Sequence, residues 1–321
     1  MQIMKISKLH YPLSDDFKVD GPTVVAMGFF DGFHKGHQTV LQRAKDEAEK
    51  RGAKLAVLTY DHHPAIVYRK MSPHEQRYLT LNAYKMKLLE DFGVDQVFLV
   101  NYSYDFQSQT PEEFINNFLK RFNAVAVVAG FDHTYGDKKV ATMANFPKYV
   151  KGAFDVITVP SVNINEKKVS STRIRIELDS GDVDSVTDLL GRPFKTRGVI
   201  VHGEERGRLL GYPTANVEHS EYQWLPAVGI YVVTVEIAGK RYLGMASIGR
   251  NVTFSDVHPM TVEINLMDFN RNIYGEVVNV NWLSYLRGEI KFQTPEDLID
   301  QLDKDKQATR EYLEQHPDVI N

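Results

Sequence analysis

Two histidines stand three residues apart at the start of a helix signal. They are His34 and His37 in the string GFFDGFHKGH (residues 28–37), which follows the short apolar run TVVAM (residues 23–27). A helix that begins directly after a buried strand binds phosphate through its free backbone N–H groups. Histidines at this spacing share one helix face, and Gly36 allows close backbone approach. The pattern indicates attack on a phosphate whose transition-state charge the imidazoles would offset.

A bare histidine pair has two other interpretations: solvated side chains beside a turn, or a histidine metal site. The preceding strand and the surrounding glycines favour the phosphate site. We therefore predict that the backbone at Gly28, Phe29 and Gly36 contacts phosphate groups, while His34 and His37 act in catalysis.

A second hydroxyl-rich segment, VSSTRIR (residues 169–175), resembles the start of another helix. Side chains of Ser170, Ser171 and Thr172 would cap that helix and leave amides available for phosphates. Arg175 would add a bidentate contact to a phosphate. An ordinary N-cap is the alternative interpretation of these residues.

The second half of the chain carries a different phosphate signal, GEERGRLLGYPTAN (residues 203–216). Three glycines would let backbone amides wrap a diphosphate, and two arginines stand between them. The predicted phosphate-binding residues of this segment are Gly203, Arg206, Gly207, Arg208 and Gly211. The chain has no Walker A motif, so a kinase here would not be of the P-loop type.

Oxygen ligands follow the glycines. Thr214 and Asn216 lie on the same side of an extended segment, and hard oxygens together with nucleotide phosphates suit Mg²⁺. In the strand signal TVEINL (residues 261–266), apolar residues alternate and leave Glu263 on the opposite face. A carboxylate there would take the proton of an attacking alcohol, although a lone strand glutamate is more often solvated.

Together these strings resemble the bacterial bifunctional riboflavin kinase/FAD synthetase (FMN adenylyltransferase) family over nearly the whole chain. The resemblance implies an FMN adenylyltransferase domain at residues 1–185 and a riboflavin kinase domain at 186–321. It implies ATP with Mg²⁺ as cosubstrate, and riboflavin, FMN and FAD as substrates or products. Thr214 and Asn216 would bind the metal, and Glu263 would be the general base of the kinase.

The same resemblance assigns His63 to a contact with phosphate or flavin, with an ordinary loop histidine as the alternative, and Asp132 to a contact with flavin or ribose. In the second domain it assigns flavin contacts to Arg287 and Phe292, and simple packing is the alternative for Phe292. The chain departs from the family at two places. His133 stands where an aromatic residue is common and the following Gly–Arg is missing, and residues 247–254 (SIGRNVTF) lack the usual proline.

The elements that would position the first site alternate between strand and helix. Strands are predicted at residues 23–27, 54–60, 96–100, 124–129 and 156–159, with helices at 38–50, 79–92 and 110–122. Such alternation predicts an α/β, doubly wound, Rossmann-like parallel sheet with ligands at the carboxyl ends of its strands.

Beyond about residue 190, apolar runs follow one another without helices. Strands at residues 229–237 and 241–248 are predicted to form one hairpin, and residues 260–269 and 273–283 another. We expect an antiparallel β-barrel, which leaves few exposed strand edges, followed by a terminal helix from Thr294.

Composition narrows the function classes. The chain has 321 residues, a formal net charge of -4 and no cysteine. That excludes disulfides and thiolate zinc sites and fits the cytoplasm. No basic tract indicates nucleic acid, and no apolar run is long enough for a membrane. We expect small-molecule partners, and the oligomeric state stays open. A monofunctional FAD synthetase and a non-enzymatic flavin-binding protein are the rival functions.

Overall fold

The structure, a computed structural model, describes residues 3–203, 211–250 and 260–320. The chain divides into two compact units, Met1–Ser171 and Thr172–Asn321. Within the described ranges, no helix combines the length and the apolar character that a membrane span requires. The predicted domain boundary at residues 185/186 concerns function and stays a prediction.

The first unit is built on six parallel strands in the order β1-β4-β3-β2-β5-β6. The strands are β1 (Lys5–Leu9), β2 (Thr23–Met27), β3 (Lys54–Tyr60), β4 (Gln96–Val100), β5 (Ala124–Gly130) and β6 (Asp155–Val159). The chain moves from β2 in one direction to β3 and β4, then returns to β5 on the other side of β2. This reversal makes the carboxyl ends of β2 and β5 the expected ligand crevice.

Helices and one small hairpin connect these strands. They are α1 (Lys35–Arg51), α2 (Ala65–Tyr68), α3 (Asn82–Phe92), α4 (Tyr104–Gln107), α5 (Pro111–Phe114), α6 (Phe146–Val150) and the pair β7 (Asn163–Ile164) and β8 (Lys167–Lys168). Side chains of β2 alternate between two apolar cores, with Val25 and Met27 in one and Val24 and Ala26 in the other. Both sheet faces are therefore covered, as in a doubly wound fold.

Two predicted helices differ from the observed ones for local reasons. The helix expected from residue 79 begins at Asn82, because the amides of Leu79 and Thr80 donate to the Asp31 carboxylate instead. The helix after Thr110 begins with the predicted capping box, then widens to a π-helix at Ile115–Leu119. Strand β1, with its exposed lysines, was not predicted.

The helix α7 (Ser171–Ser180) begins at the last residue of the first unit, and the second unit continues with α8 (Val183–Leu190) and the predicted closed barrel. Its strands are β9 (Phe194–Val201), β10 (Ala215–His219), β11 (Gly229–Ile237), β12 (Lys240–Arg250), β13 (Met260–Leu266) and β14 (Val277–Arg287). The terminal helix α9 (Pro295–Gln315) is capped by the Thr294 hydroxyl, as predicted.

Inside the barrel, aromatic rings interlock. Tyr231 and Trp282 meet edge to face with centroids 5.2 Å apart, and the Trp282 indole N–H donates to the Thr196 hydroxyl at 2.9 Å. One pairing prediction was wrong. β13 and β14 are strands, but β13 pairs with β12 and β10 while β14 pairs with β11 and β9. The β11–β12 hairpin lies between them, so closure of the barrel separates the two.

Candidate active sites

The predicted histidine pair forms one compact unit at the carboxyl end of β2. His34 is the N-cap of α1, and its Nδ1 accepts the backbone N–H of His37 at 3.2 Å. The two imidazole rings stack with centroids 3.6 Å apart and planes 13° apart. A Cβ at Gly36 would lie 3.2 Å from the His34 ring, so glycine is what lets this ring pack against the helix start. The arrangement presents both imidazoles to one ligand.

The surroundings of His37 disfavour its protonated, charged form. Burial lowers the pKa of His37 well below its ordinary value, and the neighbouring His34, Lys85 and Lys168 lower it further. Two cationic rings in stacked contact would also repel each other. His37 is therefore neutral at pH 7. Among the described residues, its buried Nδ1 atom has no hydrogen-bond partner, so a ligand could satisfy that atom.

The loop that carries the histidines is held by Asp31, a residue that motif spacing alone did not single out. The Asp31 carboxylate accepts the backbone N–H groups of Leu79 and Thr80 at 3.3 and 3.0 Å. Its carbonyl accepts the hydroxyl of Ser171 at 2.8 Å. Asp31 is 3% exposed. These bonds make it an anchor of the phosphate loop.

Of the hydroxyl-rich segment, Ser171 thus contacts the histidine loop, and Ser170 is half-buried just before α7. Thr172 and Arg175 belong to the second compact unit, where the Arg175 guanidinium lies 5.3 Å from the Trp224 ring centroid. Their contribution to triphosphate binding stays a prediction.

The predicted flavin residues of the first unit lie in loops that follow β3 and β5. The His63 ring meets the Phe29 ring edge to face at 5.3 Å, and its Nδ1 accepts the Ala65 N–H at 3.0 Å. Asp132 forms an ion pair with Lys168, whose ammonium lies 4.8 Å from the Phe131 ring centroid. Both flavin contacts remain predictions.

His133, the departure from the family pattern, is uncharged at neutral pH. Burial lowers the pKa of His133 to about 4, and the nearby Asp132 only partly opposes this. An uncharged imidazole is a flat aromatic ring, so the substitution keeps an aromatic character at the position.

Sequence reasoning missed Lys85, a buried lysine beneath this site. Lys85 is 2% exposed, and its Nζ donates to the Tyr60 carbonyl at 2.9 Å. Its position four residues before Leu89, on the buried face of α3, is the signal that could have revealed it.

In the second unit, the predicted metal and base residues meet. The Thr214 hydroxyl donates to the Glu263 carboxylate at 3.3 Å, and Asn216 is directly paired with Glu263 across β10 and β13. Asn265 donates to the Pro213 carbonyl at 2.8 Å and fixes the entry to β10. A hydroxyl, an amide and a carboxylate therefore share one face of the sheet.

The glycine-rich segment before β10 is described only at its ends. A Cβ at Gly203 would overlap the side-chain amide of Asn216, so only glycine permits this close approach. Gly211 has φ +81°, a left-handed conformation that favours glycine. Arg206, Gly207 and Arg208 lie outside the described residues.

A cavity of about 510 Å³ opens beside Thr214 and was not predicted. Its lining includes Pro213, Thr214, Ile264, Phe269, Arg271 and Tyr274. The Tyr274 ring stacks on His202 at 3.7 Å. The loop between β13 and β14 supplies half of this wall. Its sequence, FNRNIY (residues 269–274), mixes aromatic and polar residues in a way typical of a ligand loop.

Arg287, predicted to bind flavin, is engaged by the terminal helix. Its guanidinium makes a bidentate ion pair with Asp305 of α9, with Nε–Oδ1 at 2.9 Å and Nη2–Oδ2 at 2.6 Å. Phe292 is half-buried in the segment between β14 and α9. Their flavin contacts stay predictions.

Among the residues that the structure describes, no cluster of three or more His, Asp or Glu side chains could hold a metal ion. A metal held by these described side chains would therefore need ligands from the substrate as well. The Thr214 hydroxyl and the Asn216 amide oxygen are hard ligands of the kind Mg²⁺ accepts when substrate phosphates complete its shell. The side-chain amide of Asn216 lies against Gly203, at the start of the predicted phosphate-binding segment. The residues present thus fit a magnesium–nucleotide complex.

Comparison with known proteins gives one consistent result. A family model described as FAD synthetase matches residues 16–173, and one described as Riboflavin kinase matches residues 190–313. A bifunctional riboflavin kinase/FMN adenylyltransferase of Listeria monocytogenes is 40% identical over 97% of this chain and 98% of its own. A protein with the same description in Bacillus subtilis is 35% identical over 98% of this chain and 98% of its own. Another in Escherichia coli is 30% identical over 90% of this chain and 92% of its own.

A solved structure also matches along the chain. It is described as a macrolide-efflux protein from Streptococcus pneumoniae, with a TM-score of 0.88 and 39% identity over 94% of this chain and 98% of that one. That description differs from those of the sequence relatives, whereas both family models and all three relatives above agree with one another.

Proposed function

This chain belongs to the family of bifunctional riboflavin kinase/FMN adenylyltransferases, and we propose that each activity resides in one of its two compact units. The chain phosphorylates riboflavin to FMN and adenylylates FMN to FAD. One observation carries the proposed division. The stacked histidines and the Thr214–Glu263 contact lie in different units, and each lies next in sequence to a segment that is predicted to bind phosphate.

Adenylyl transfer is assigned to the first unit. A phosphate oxygen of FMN attacks the α-phosphorus of ATP, a new P–O bond forms, and pyrophosphate leaves. No protein nucleophile is needed. His34 and neutral His37 donate hydrogen bonds to the oxygens that gain charge, while backbone amides at the start of α1 stabilise the remaining negative charge. The stacked pair supports this because ring stacking and the hydrogen bond between the two residues hold the imidazoles in place before substrate binds.

Phosphorylation is assigned to the barrel. The Glu263 carboxylate accepts the proton of a ribityl hydroxyl, whose oxygen attacks the γ-phosphorus of ATP and displaces ADP. In the resting protein this carboxylate accepts a hydrogen bond from Thr214. The Thr214 hydroxyl keeps lone pairs for a further partner.

We assign Mg²⁺ to Thr214 and Asn216, with the nucleotide phosphates as its other ligands. The ion, when bound, neutralises phosphate charge. The cavity beside Thr214 would hold the nucleotide, with Tyr274 and Phe269 as flat surfaces for a base. The predicted flavin contacts of His63, Asp132, Arg287 and Phe292 complete the two sites.

A pair of variants tests the division of labour. His34→Ala should abolish FAD formation from FMN and leave FMN formation from riboflavin intact. Glu263→Ala should do the reverse, with supplied FMN still converted to FAD. Each variant is the other's folding control, and chromatography separates the products. Loss of both reactions in either folded variant would contradict the proposed assignment.

Two broader expectations complete the proposal. The partners are small molecules, without nucleic acid or a membrane, and the protein works in the cytoplasm. The absence of cysteine supports that compartment, since a reducing environment keeps no disulfides. The oligomeric state stays open.

A further inference from the structure

Lys85 is a buried lysine on a helix whose other lysine is exposed. It lies on α3 and is 2% exposed, whereas Lys87 on the same helix has a side chain 59% exposed and pairs with Asp91. Among the residues the structure describes, no carboxylate forms an ion pair with Lys85. A buried, unpaired ammonium is costly, so its position calls for a function.

The partners of the ammonium lie at the carboxyl ends of two different strands. Its Nζ donates to the Tyr60 carbonyl at 2.9 Å and lies 3.4 Å from both the Phe29 carbonyl and the Thr59 hydroxyl. Phe29 leads into the loop of His34, and Tyr60 leads into the loop of His63. The Lys85 ammonium therefore ties together the carboxyl ends of β2 and β3, alongside the Thr59 hydroxyl, which donates to the Phe29 carbonyl at 3.0 Å.

The ring of Phe29 extends this link. It lies 4.8 Å from the Lys85 ammonium, face on, and it meets the His63 ring edge to face at 5.3 Å. A cation and the face of an aromatic ring attract each other, and this attraction is stronger when water is excluded. The ammonium thus orients Phe29 both through its carbonyl and through its ring.

The charge of Lys85 reaches the phosphate histidines. Burial lowers the pKa of Lys85 to about 8, opposed by Asp31 after β2 and Asp61 after β3, so the group is protonated at neutral pH. His37 lies on α1. Burial lowers its pKa, and electrostatic interactions with His34, Lys85 and Lys168 lower this pKa further. Because His37 is neutral, lysines provide the positive charge near this site.

We propose that Lys85 is a positioning residue for adenylyl transfer, whose protonated ammonium holds the Phe29 and Tyr60 carbonyls and thereby sets the loops of His34 and His63. The inference rests on the assignment of adenylyl transfer to the first unit. Deprotonation leaves a neutral amine that binds the carbonyls less strongly, because charged donors make the stronger hydrogen bonds. FAD formation therefore declines as the pH rises through the titration of Lys85.

Three variants of the full chain test this. Lys85→Met removes the charge at similar length, Lys85→Arg keeps a cation that does not titrate, and Lys87→Met is the matched control on the same helix. For each, kcat and KM for FAD formation from FMN are measured across the titration range, with FMN formation from riboflavin as internal control.

The native rate should decline as the pH rises through about 8. In Lys85→Arg this decline should shift to higher pH. Lys85→Met should lose roughly ten- to a hundredfold in kcat at neutral pH, with riboflavin phosphorylation unchanged, and Lys87→Met should match the native protein.

Two results would overturn the inference: equal FAD formation by Lys85→Met and Lys87→Met, or a decline in Lys85→Arg at the native pH. If Lys85→Met misfolds and loses both activities, the pH dependence of FAD formation by Lys85→Arg tests the inference instead. His34→Ala, assayed in parallel, separates this inference from its premise. If that variant still made FAD, the assignment of the first unit would fail, whatever Lys85 does.

Discussion

At the scale of single residues, the two sites manage charge differently. In the first, the histidines are packed so tightly that His37 stays neutral, and buried Lys85 carries a positive charge nearby. In the second, Thr214 and Glu263 are already hydrogen-bonded in the resting protein. Hydrogen-bond donors thus dominate the proposed adenylyl-transfer site, and side-chain oxygen atoms dominate the proposed kinase site.

Thr214 offers a residue-scale prediction about magnesium. Thr214→Val keeps the shape but removes the hydroxyl, so riboflavin phosphorylation should need roughly ten- to a hundredfold more Mg²⁺ for its half-maximal rate. Thr214→Ser keeps the oxygen and should stay near the native value. Initial rates measured across a Mg²⁺ titration provide the comparison, with FAD formation from FMN as the unaffected control. Identical titrations for the valine and serine variants would remove Thr214 from the metal site.

At the scale of elements, the terminal helix is attached to the barrel through one buried carboxylate. Asp305 is 4% exposed, accepts both nitrogens of the Arg287 fork, and also accepts the side-chain amide of Gln301 at 2.9 Å. The pair joins α9 to the end of β14. Because Arg287 is also a predicted flavin residue, the attachment of α9 and the shape of the flavin site are expected to depend on each other.

Asp305→Asn should destabilise the barrel unit by about 3 kcal/mol, because the Arg287 guanidinium loses its charged partner. Asp300→Asn, an exposed change on the same helix, should stay within about 0.5 kcal/mol of the native protein. The chain has two tryptophans, Trp224 and Trp282, and both are buried in the second unit. Urea unfolding followed by tryptophan fluorescence therefore reports this unit. Equal stability of the two variants would show that the ion pair contributes nothing.

Element type was predictable wherever local pattern decides it. The strand at Lys54–Tyr60 has the predicted bounds, and α1 ends at Gly52 with φ +59°, as its glycine indicated. Pairing was less predictable. β13 and β14 have strand-like sequences, but closure of the barrel, a long-range property, decides their partners.

Site residues in short sequence motifs were predictable, whereas residues that only the fold brings together were not. Short motifs brought out the histidine pair, Thr214 and Glu263, because each motif is local in sequence and chemically specific, and the structure adds the contact between Thr214 and Glu263. Lys85 belongs to no such motif, since its acceptors come from β2 and β3 and are distant in sequence. The cavity wall from the β13–β14 loop was missed for a similar reason: only the closed barrel brings residue 274 near residue 214.

At the scale of the whole molecule, one chain carries two successive transfers from ATP. FMN is the product of one reaction and the substrate of the next, so the protein converts riboflavin to FAD without another enzyme. A monofunctional synthetase would not need Thr214 and Glu263 together on one sheet face, and a storage protein would not need the stacked histidines at a helix start.

The central claim is tested most directly by chromatography of the products after the purified protein is incubated with riboflavin, ATP and Mg²⁺, and separately with FMN, ATP and Mg²⁺. The account predicts FMN and FAD from riboflavin, and FAD from FMN. FAD from FMN alone would mean that the barrel is silent as a kinase, and no product from either substrate would contradict both assignments.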